Sequence, residues 1–99
     1  MADIHKNHAL RKLTVSSSDW TSITVPIPCS QIVIINQDSG NAQLIRTDTA
    51  DADTELTLPA GGQYVMCSTA DGTTFNVNDV VASVKAAAGT GPVVVAFVR

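Results

Sequence analysis

Short apolar runs alternate with turn-forming residues about every ten positions along most of this chain. The apolar residues are mainly Val, Ile, Leu and Ala, and the runs are rich in β-branched residues, which favour extended backbone because their χ1 freedom is restricted in a helix. This combination is typical of an all-β sandwich or barrel. One segment is ambiguous: 79–88, "DVVASVKAAA", contains the good helix formers Ala and Lys. Its valines favour a strand there as well.

We expect about eight short antiparallel strands, arranged as a small jelly-roll-like or Greek-key β-sandwich. Two turns are predicted to be tight hairpins: "QDSGN" (37–41), which would pair the runs on either side of it, and the Gly-Thr-Gly-Pro segment (89–92). The predicted strands are 10–15, 21–25, 31–36, 42–47, 54–58, 63–68, 80–87 and 93–99, with a further short segment around Phe75 and Val77.

The closing run, 93–99, is apolar on both of its faces. Side chains alternate along a strand, so one set can enter the core while the other requires a second layer. The run 31–36, "QIVIIN", has the same requirement. In a domain of 99 residues that layer can be a second copy, so we expect a homo-oligomer, a dimer or a trimer. The alternating sets of the closing run are Val93, Val95 and Phe97, and Val94, Ala96 and Val98.

Charge is unevenly distributed along the chain, although the net formal charge is only −3. Residues 1–12 carry three basic residues and one acid, a net +2, whereas 13–99 carry three basic residues and eight acids, a net −5. We therefore expect a flexible basic N-terminal arm, 1–12, and a single β-sandwich domain, 13–99. Three basic residues are too few for a nucleic-acid-binding stripe, so no direct contact with nucleic acid is expected.

Neither a leader nor a membrane partner is expected. The first residues lack an apolar core of adequate length, and no run approaches the ~18–20 apolar residues of a membrane span. Cys29 and Cys67 lie among apolar residues and are interpreted as buried free thiols, although one bridge between them stays open. Free thiols favour folding in a reducing cytoplasm.

The residue patterns predict no catalytic residue, no metal ligand and no cofactor. Both histidines, His5 and His8, lie in the expected arm, where no base can activate a serine of the folded domain. Motifs of serine hydrolases, zinc proteases and phosphate-binding loops are absent from the sequence. The acidic segment 48–55, "DTADADTE", has oxygen ligands that suit calcium but lacks the EF-hand pattern, so Asp51 and Asp53 are interpreted as turn formers.

Three side chains in the body of the chain are candidates for contacts with a partner. Trp20, the single tryptophan, is interpreted either as a plug at one end of the core or as an interface anchor, since tryptophan is enriched at binding hot spots. Arg46 and Asp48 are two residues apart, so on a strand they would share a face and could pair with each other.

Several short segments follow one another in a characteristic order: Trp20 before "ITVP", "IVIIN" leading through a turn to "LIRTD", "LPAGG", and a Phe-containing segment before "NDVVASVKAAAG" and "TGPVVVAFVR". Over residues 14–99 the chain resembles small β-sandwich virion proteins of tailed bacteriophages, of the capsid decoration or cement type. The residues that carry the resemblance are fold markers and not catalytic residues: Trp20, Arg46, Asp48, Pro59, Gly61, Gly62, Phe75, Gly89, Gly91 and Pro92.

This resemblance implies a structural, non-enzymatic protein on the capsid surface of a virion assembled in the host cytoplasm. It would bind the major capsid protein, or another virion protein, and stabilise the shell. The alternative is a binding module at the head–tail junction, tail or fibre, including a glycan-binding module that uses Trp20 or Tyr64 as an aromatic platform. The residues expected at the interface are Ile4, His5, Lys6, Arg11, Lys12, Trp20, Arg46, Asp48, Phe97 and Arg99.

Overall fold

A computed structural model describes residues 8–67 and 74–99, which form eight β-strands and one 3-10 turn at Ala52–Thr54. Most strands coincide closely with the apolar runs, because those runs hold the β-branched residues that prefer extended backbone. The strands are β1 (His8–Ser16), β2 (Thr21–Thr24), β3 (Gln31–Asn36), β4 (Gln43–Arg46), β5 (Glu55–Leu58), β6 (Gln63–Cys67), β7 (Val80–Ala86) and β8 (Thr90–Val98).

Two antiparallel four-stranded sheets make up the fold. Sheet A has the order β1-β8-β3-β6, and sheet B has the order β2-β7-β4-β5. The pairs β1–β8, β2–β7, β3–β6 and β4–β5 are those of one long hairpin rolled up with its tip at the β4–β5 connection. This is the strand order of an eight-stranded jelly roll. The prediction of a small all-β, jelly-roll-like sandwich is confirmed.

The core lies between the sheets and consists almost entirely of aliphatic side chains. Each strand contributes alternate residues to it, as in β3, whose burial alternates along its six residues. Phe97 is the largest fully buried side chain. The buried apolar residues are Val15, Ile23, Val25, Cys29, Ile32, Ile34, Ile45, Leu58, Ala82, Val84, Ala86, Val93, Val95 and Phe97.

Both hairpins predicted from the sequence are wrong. β3 belongs to sheet A and β4 to sheet B, so the turn 37–41 carries the chain across the sandwich instead of pairing its neighbours. β7 and β8 also lie in different sheets, and β8 already begins at Thr90, inside the expected Gly-Thr-Gly-Pro turn. A turn sequence records that the chain reverses direction, but not whether the next strand stays in the same sheet.

Two other predicted boundaries, that of the N-terminal arm and that of the segment around Phe75, differ from those in the structure. β1 begins at His8, so the last five residues of the arm expected at 1–12 are part of an edge strand; residues 1–7 lie outside the described residues. The segment expected around Phe75 and Val77 forms a single bridge, between Phe75 and Cys29, and not a strand.

Two buried amides tie the sheets together. Asn36, at the end of β3, donates from Nδ2 to the Asn41 and Leu58 carbonyls at 3.0 Å each, and its Oδ1 accepts from the Asp38 N–H at 2.9 Å. Gln43, at the start of β4, donates from Nε2 to the Pro92 carbonyl at 2.9 Å, while its Oε1 has no partner among the described residues. Both polar atoms of the Asn36 side chain therefore have hydrogen-bond partners, whereas in the Gln43 side chain only Nε2 has one.

Asp38 organises the turn between the sheets. Its Oδ1 accepts the N–H groups of Gly40 at 2.9 Å and Asn41 at 3.1 Å, and these two bonds hold the pKa of the carboxyl below its ordinary value. The other carboxylate oxygen lies where a Cβ would stand at position 91, so Gly91 is required for this close approach to β8.

We expect this turn to weaken in acid. Because the pKa of Asp38 is lower in the folded than in the unfolded chain, its contribution to stability is complete above its unfolded pKa of about 3.9 and is lost as the pH falls through the folded pKa. The midpoint of thermal unfolding should therefore fall more steeply below about pH 4 in the wild type than in Asp38→Asn, whose side chain keeps an acceptor oxygen but no proton to take up. Parallel pH slopes for the two proteins would contradict the assignment.

Candidate functional site

The outer face of sheet A, which points away from the core, carries a continuous band of apolar side chains. Strand registers align its residues in rows across the sheet. One row is apolar through all four strands, and the next has an apolar centre between two polar ends. The first row is Leu10–Ala96–Val33–Val65 and the second is Lys12–Val94–Ile35–Gln63. We call the seven apolar residues on this side of the sheet the apolar face: Leu10, Val33, Ile35, Val65, Val94, Ala96 and Val98.

Side chains of the apolar face are accessible to a partner. Leu10 is 61% exposed and Val65 42% exposed, and the central residues are half-buried because they stand between neighbouring strands. Among the described side chains of the two rows, only Lys12 is charged, and it lies at the β1 edge. A face with an apolar centre and a polar margin is the composition of a protein–protein interface.

Sheet B presents a different outer face, because the 47–54 loop covers part of it. Arg46 donates from Nε to Glu55 Oε1 at 2.8 Å and from Nη1 to the Thr49 carbonyl at 2.8 Å. The hydroxyls of Thr49 and Ser83 share a short hydrogen bond, which draws the 47–54 loop over the sheet and buries Ser83. The covered polar side and the open apolar side together give the sandwich two unlike surfaces.

Trp20 lies over the outer side of sheet B and is not part of the core. Arg46 Cζ is 4.8 Å and Lys85 Nζ is 5.6 Å from the centroid of its ring, within range of cation–π contacts. The plug interpretation is therefore wrong, and the ring is engaged by cations of its own chain. Tyr64, the other candidate glycan platform, is half-buried and packs against the core.

The sequence suggests that Arg46 can pair with Asp48, but in the structure Arg46 pairs with another carboxylate. β4 ends at Arg46, so Asp48 leaves the strand and its Oδ1 accepts the Ala50 N–H at 3.0 Å. Glu55, directly opposite Arg46 in β5, provides the carboxylate instead. The turn-forming role expected of the aspartates is confirmed for Asp51, whose Oδ1 accepts the Asp53 N–H at 2.9 Å.

Arg11 and Lys12 lie on β1, at the free edge of sheet A. Lys12 points to the outer side, whereas Arg11 is in register with the inward-facing Val95. There it lines a groove of about 170 Å³ between the edge strands β1 and β2, together with Leu13, Ile23 and Phe97. Inward-pointing charges of this kind discourage edge-to-edge pairing of sheets.

The remaining predicted interface residues divide into three cases. Phe97 is wrongly predicted, since it is fully buried on the inner side of β8 and contacts its own core. Arg99 is exposed beside Pro28 and Ser30. Ile4, His5 and Lys6 lie outside the described residues.

Both cysteines are free thiols in unlike surroundings. Cys29 is buried, which raises the pKa of its thiol, whereas Cys67 is exposed at the end of β6. The prediction of a buried thiol is therefore confirmed for Cys29 and wrong for Cys67.

Sequence reasoning did not name the residues of the apolar face as a site, although it noted that both sides of β3 and β8 need cover. The available signal was the unbroken apolar run in each of these strands. What the sequence lacked was the alignment of Leu10 and Val65 with them, which depends on long-range register.

No group of three or more His, Cys, Asp or Glu side chains in residues 8–67 and 74–99 is placed to hold a metal ion. The same residues contain no helix of sufficient length and apolarity to cross a membrane. Comparison with known proteins found no matching family model, no similar curated protein and no similar solved structure, so a functional conclusion has to start from the geometry of this chain.

Proposed function

We propose that the protein is a structural component of a tailed-bacteriophage virion, of the capsid decoration or cement type, and that it acts through protein–protein contacts. The observation that carries the proposal is the apolar face: an ordered, accessible sheet surface with an apolar row through all four strands. Such a surface is costly to leave in water, at about 25 cal/mol per Å² of apolar area, and gains that free energy when it associates.

Rigidity of the scaffold supports the same function. The strands of sheet A are held from below by an aliphatic core and from side to side by their ladders, so the apolar face changes little when it binds. A preformed surface loses little conformational entropy on association, which suits a protein that adds stability to an assembly.

The fold is compatible with a virion protein, although it does not identify one. Jelly rolls are frequent in viral capsid and lectin domains, and one fold serves many functions. The virion assignment rests on the sequence resemblance, and the mode of action rests on the apolar face.

Particle association tests this function. The protein should co-sediment with density-gradient-purified virions of the phage that encodes it, in many copies per particle as measured by quantitative mass spectrometry. Val65→Lys places a charge in the fully apolar row and should reduce retention on the particle at least tenfold. Thr57→Lys is the matched control, an exposed residue on the edge strand of sheet B, and should be retained as the wild type is.

Absence of the protein from purified particles would refute the virion assignment. Equal retention of the two lysine variants would refute the role of the apolar face. Circular dichroism and thermal unfolding of each variant establish that a loss of retention does not come from unfolding.

A further inference from the structure

We infer that a second copy of this chain covers the apolar face, forming a two-fold dimer in which the two A sheets stack face to face. The inference rests on the proposed function, since it names a second copy as the protein that the apolar face contacts. Four features of the described residues lead to it.

The first feature is the shape of the face. A β-sheet is twisted with a fixed hand, and its surface is complementary to another sheet of the same twist, packed at about −30° and about 10 Å away. A second copy supplies such a sheet with the same strand lengths and the same apolar row.

The second feature is the distribution of polar groups. If the two-fold axis runs parallel to the strands, β1 of one copy lies over β6 of the other, and β8 lies over β3. The row Leu10–Ala96–Val33–Val65 then meets its own reverse, with Leu10 near Val65 of the second copy and Ala96 near Val33. Lys12 comes to lie near Gln63 of the second copy and not near another lysine, so the face is complementary to itself.

The third feature is that self-association through β1 is disfavoured. Among the described residues β1 is an edge strand of sheet A, nine residues long, and Arg11 and Lys12 stand at its middle. Antiparallel pairing of two β1 edges would bring these basic side chains opposite one another, which is unfavourable. The chain therefore protects the β1 edge of sheet A with charge while the outer face of the sheet stays apolar.

The fourth feature is the area. Four strands spaced about 4.8 Å apart, over about six residues, give a footprint of roughly 400 Å² per copy, or roughly 800 Å² for the pair. This lies below the roughly 1,200–2,000 Å² of specific, stable protein–protein interfaces, in the size range of weak and transient ones. We therefore expect a reversible dimer, whose population depends on protein concentration.

Sedimentation velocity of the purified full-length protein tests the inference. From micromolar to millimolar concentration the wild type should shift from monomer to dimer, whereas Val65→Lys should stay monomeric, since the new charge would lie over Leu10 and beside Lys12 of the second copy. Thr57→Lys should dimerise as the wild type does. A wild type that stays monomeric over the whole range, or two variants that dimerise equally, would overturn the inference.

Cross-linking tests the orientation of the copies. In a Cys67→Ser background, Leu10→Cys and Val65→Cys proteins should be joined by a short bis-maleimide when they are mixed, and neither should cross-link efficiently to itself. Self-linking of Leu10→Cys without linking in the mixture would overturn the strand-parallel axis. Cys29 is buried and is not expected to react.

The two proposals can fail separately. If the wild type is monomeric in solution but Val65→Lys is lost from the virion, the dimer is refuted and the virion function stands. If the protein dimerises through this face but is absent from particles, the virion function is refuted and the dimer stands.

Discussion

Replacing Phe97 by alanine should lower the free energy of unfolding by about 3–5 kcal/mol. Phe97 is fully buried and is the largest side chain of the core, in register with Ala9 on one side and Ile32 on the other. Because Ala9 is small, it cannot fill the space that the missing ring would leave. The cost therefore includes a cavity as well as the lost transfer of the ring from water.

A loss of this size is large for a domain of 99 residues. Native domains are stable by only about 5–15 kcal/mol, and each kilocalorie shifts the unfolding midpoint of a domain this small by about 4–8 °C. Thermal unfolding of Phe97→Ala should show a midpoint lower by about 15 °C or more. Chemical denaturation should show the lower free energy of unfolding as a lower midpoint concentration of denaturant.

Val94→Ala is the matched control for Phe97→Ala, on the same strand but on its outer side. At protein concentrations where the monomer dominates, it should cost about 1 kcal/mol or less, because Val94 belongs to the apolar face and not to the core. A cost of similar size at both positions would mean that the two sides of β8 are buried alike, contrary to the sheet assignment.

Replacing Asn36 by leucine should cost about 3 kcal/mol. Asn36 is fully buried and makes three side-chain hydrogen bonds, which link the end of β3 to the 37–41 turn and to β5 of the other sheet. Leucine has the same branched arrangement of side-chain heavy atoms but forms no hydrogen bonds, so it leaves the Leu58 carbonyl and the Asp38 N–H without these partners. An unsatisfied buried group costs about 1–3 kcal/mol, so the lost bonds account for most of the effect.

Gln43→Met is the control for Asn36→Leu, since Gln43 is also a buried amide between the sheets. It should cost about 1 kcal/mol or less. The substitution removes one hydrogen bond to Pro92, whose carbonyl also accepts from the Gln37 N–H, and it removes the orphan oxygen of Gln43. Urea unfolding of both variants measures the difference; a larger loss for Gln43→Met would contradict the distinction between the two amides.

The apolar face and the core draw on the same strands but differ in what they contribute. Inner side chains such as Val95 stabilise the monomer, whereas half-buried outer side chains such as Val33 contribute further free energy when a partner removes them from water. Mutations on the two sides of sheet A should therefore separate stability from association.

The strand positions could be predicted from the sequence because they depend on local properties. β3 begins and ends at the predicted residues, and β2, β4, β5 and β7 differ from the prediction by one residue at an end or at both ends. β6 begins at the predicted residue, and its predicted end, Ser68, lies outside the described residues. The apolar, β-branched composition of these runs and the turn residues between them act within a few positions. The alternation in β8 was also readable, including which residues share a side.

The partners of the strands could not be predicted, because pairing in this fold joins distant segments. β1 pairs with β8 across almost the whole chain, from His8 to Val98, and consecutive strands change sheets at the 37–41 turn. For the same reason the core-plug interpretation of Trp20, the interface prediction for Phe97 and the pairing of Arg46 with Asp48 are wrong: each depends on which layer covers the residue.

The sequence by itself therefore determined an all-β chain with two strands that need cover on both sides. Only the tertiary structure decided which side of those strands became core and which became the apolar face. Where both sides of a strand are apolar, local alternation is the same for either choice, and the direction in which the long hairpin rolls selects one of them.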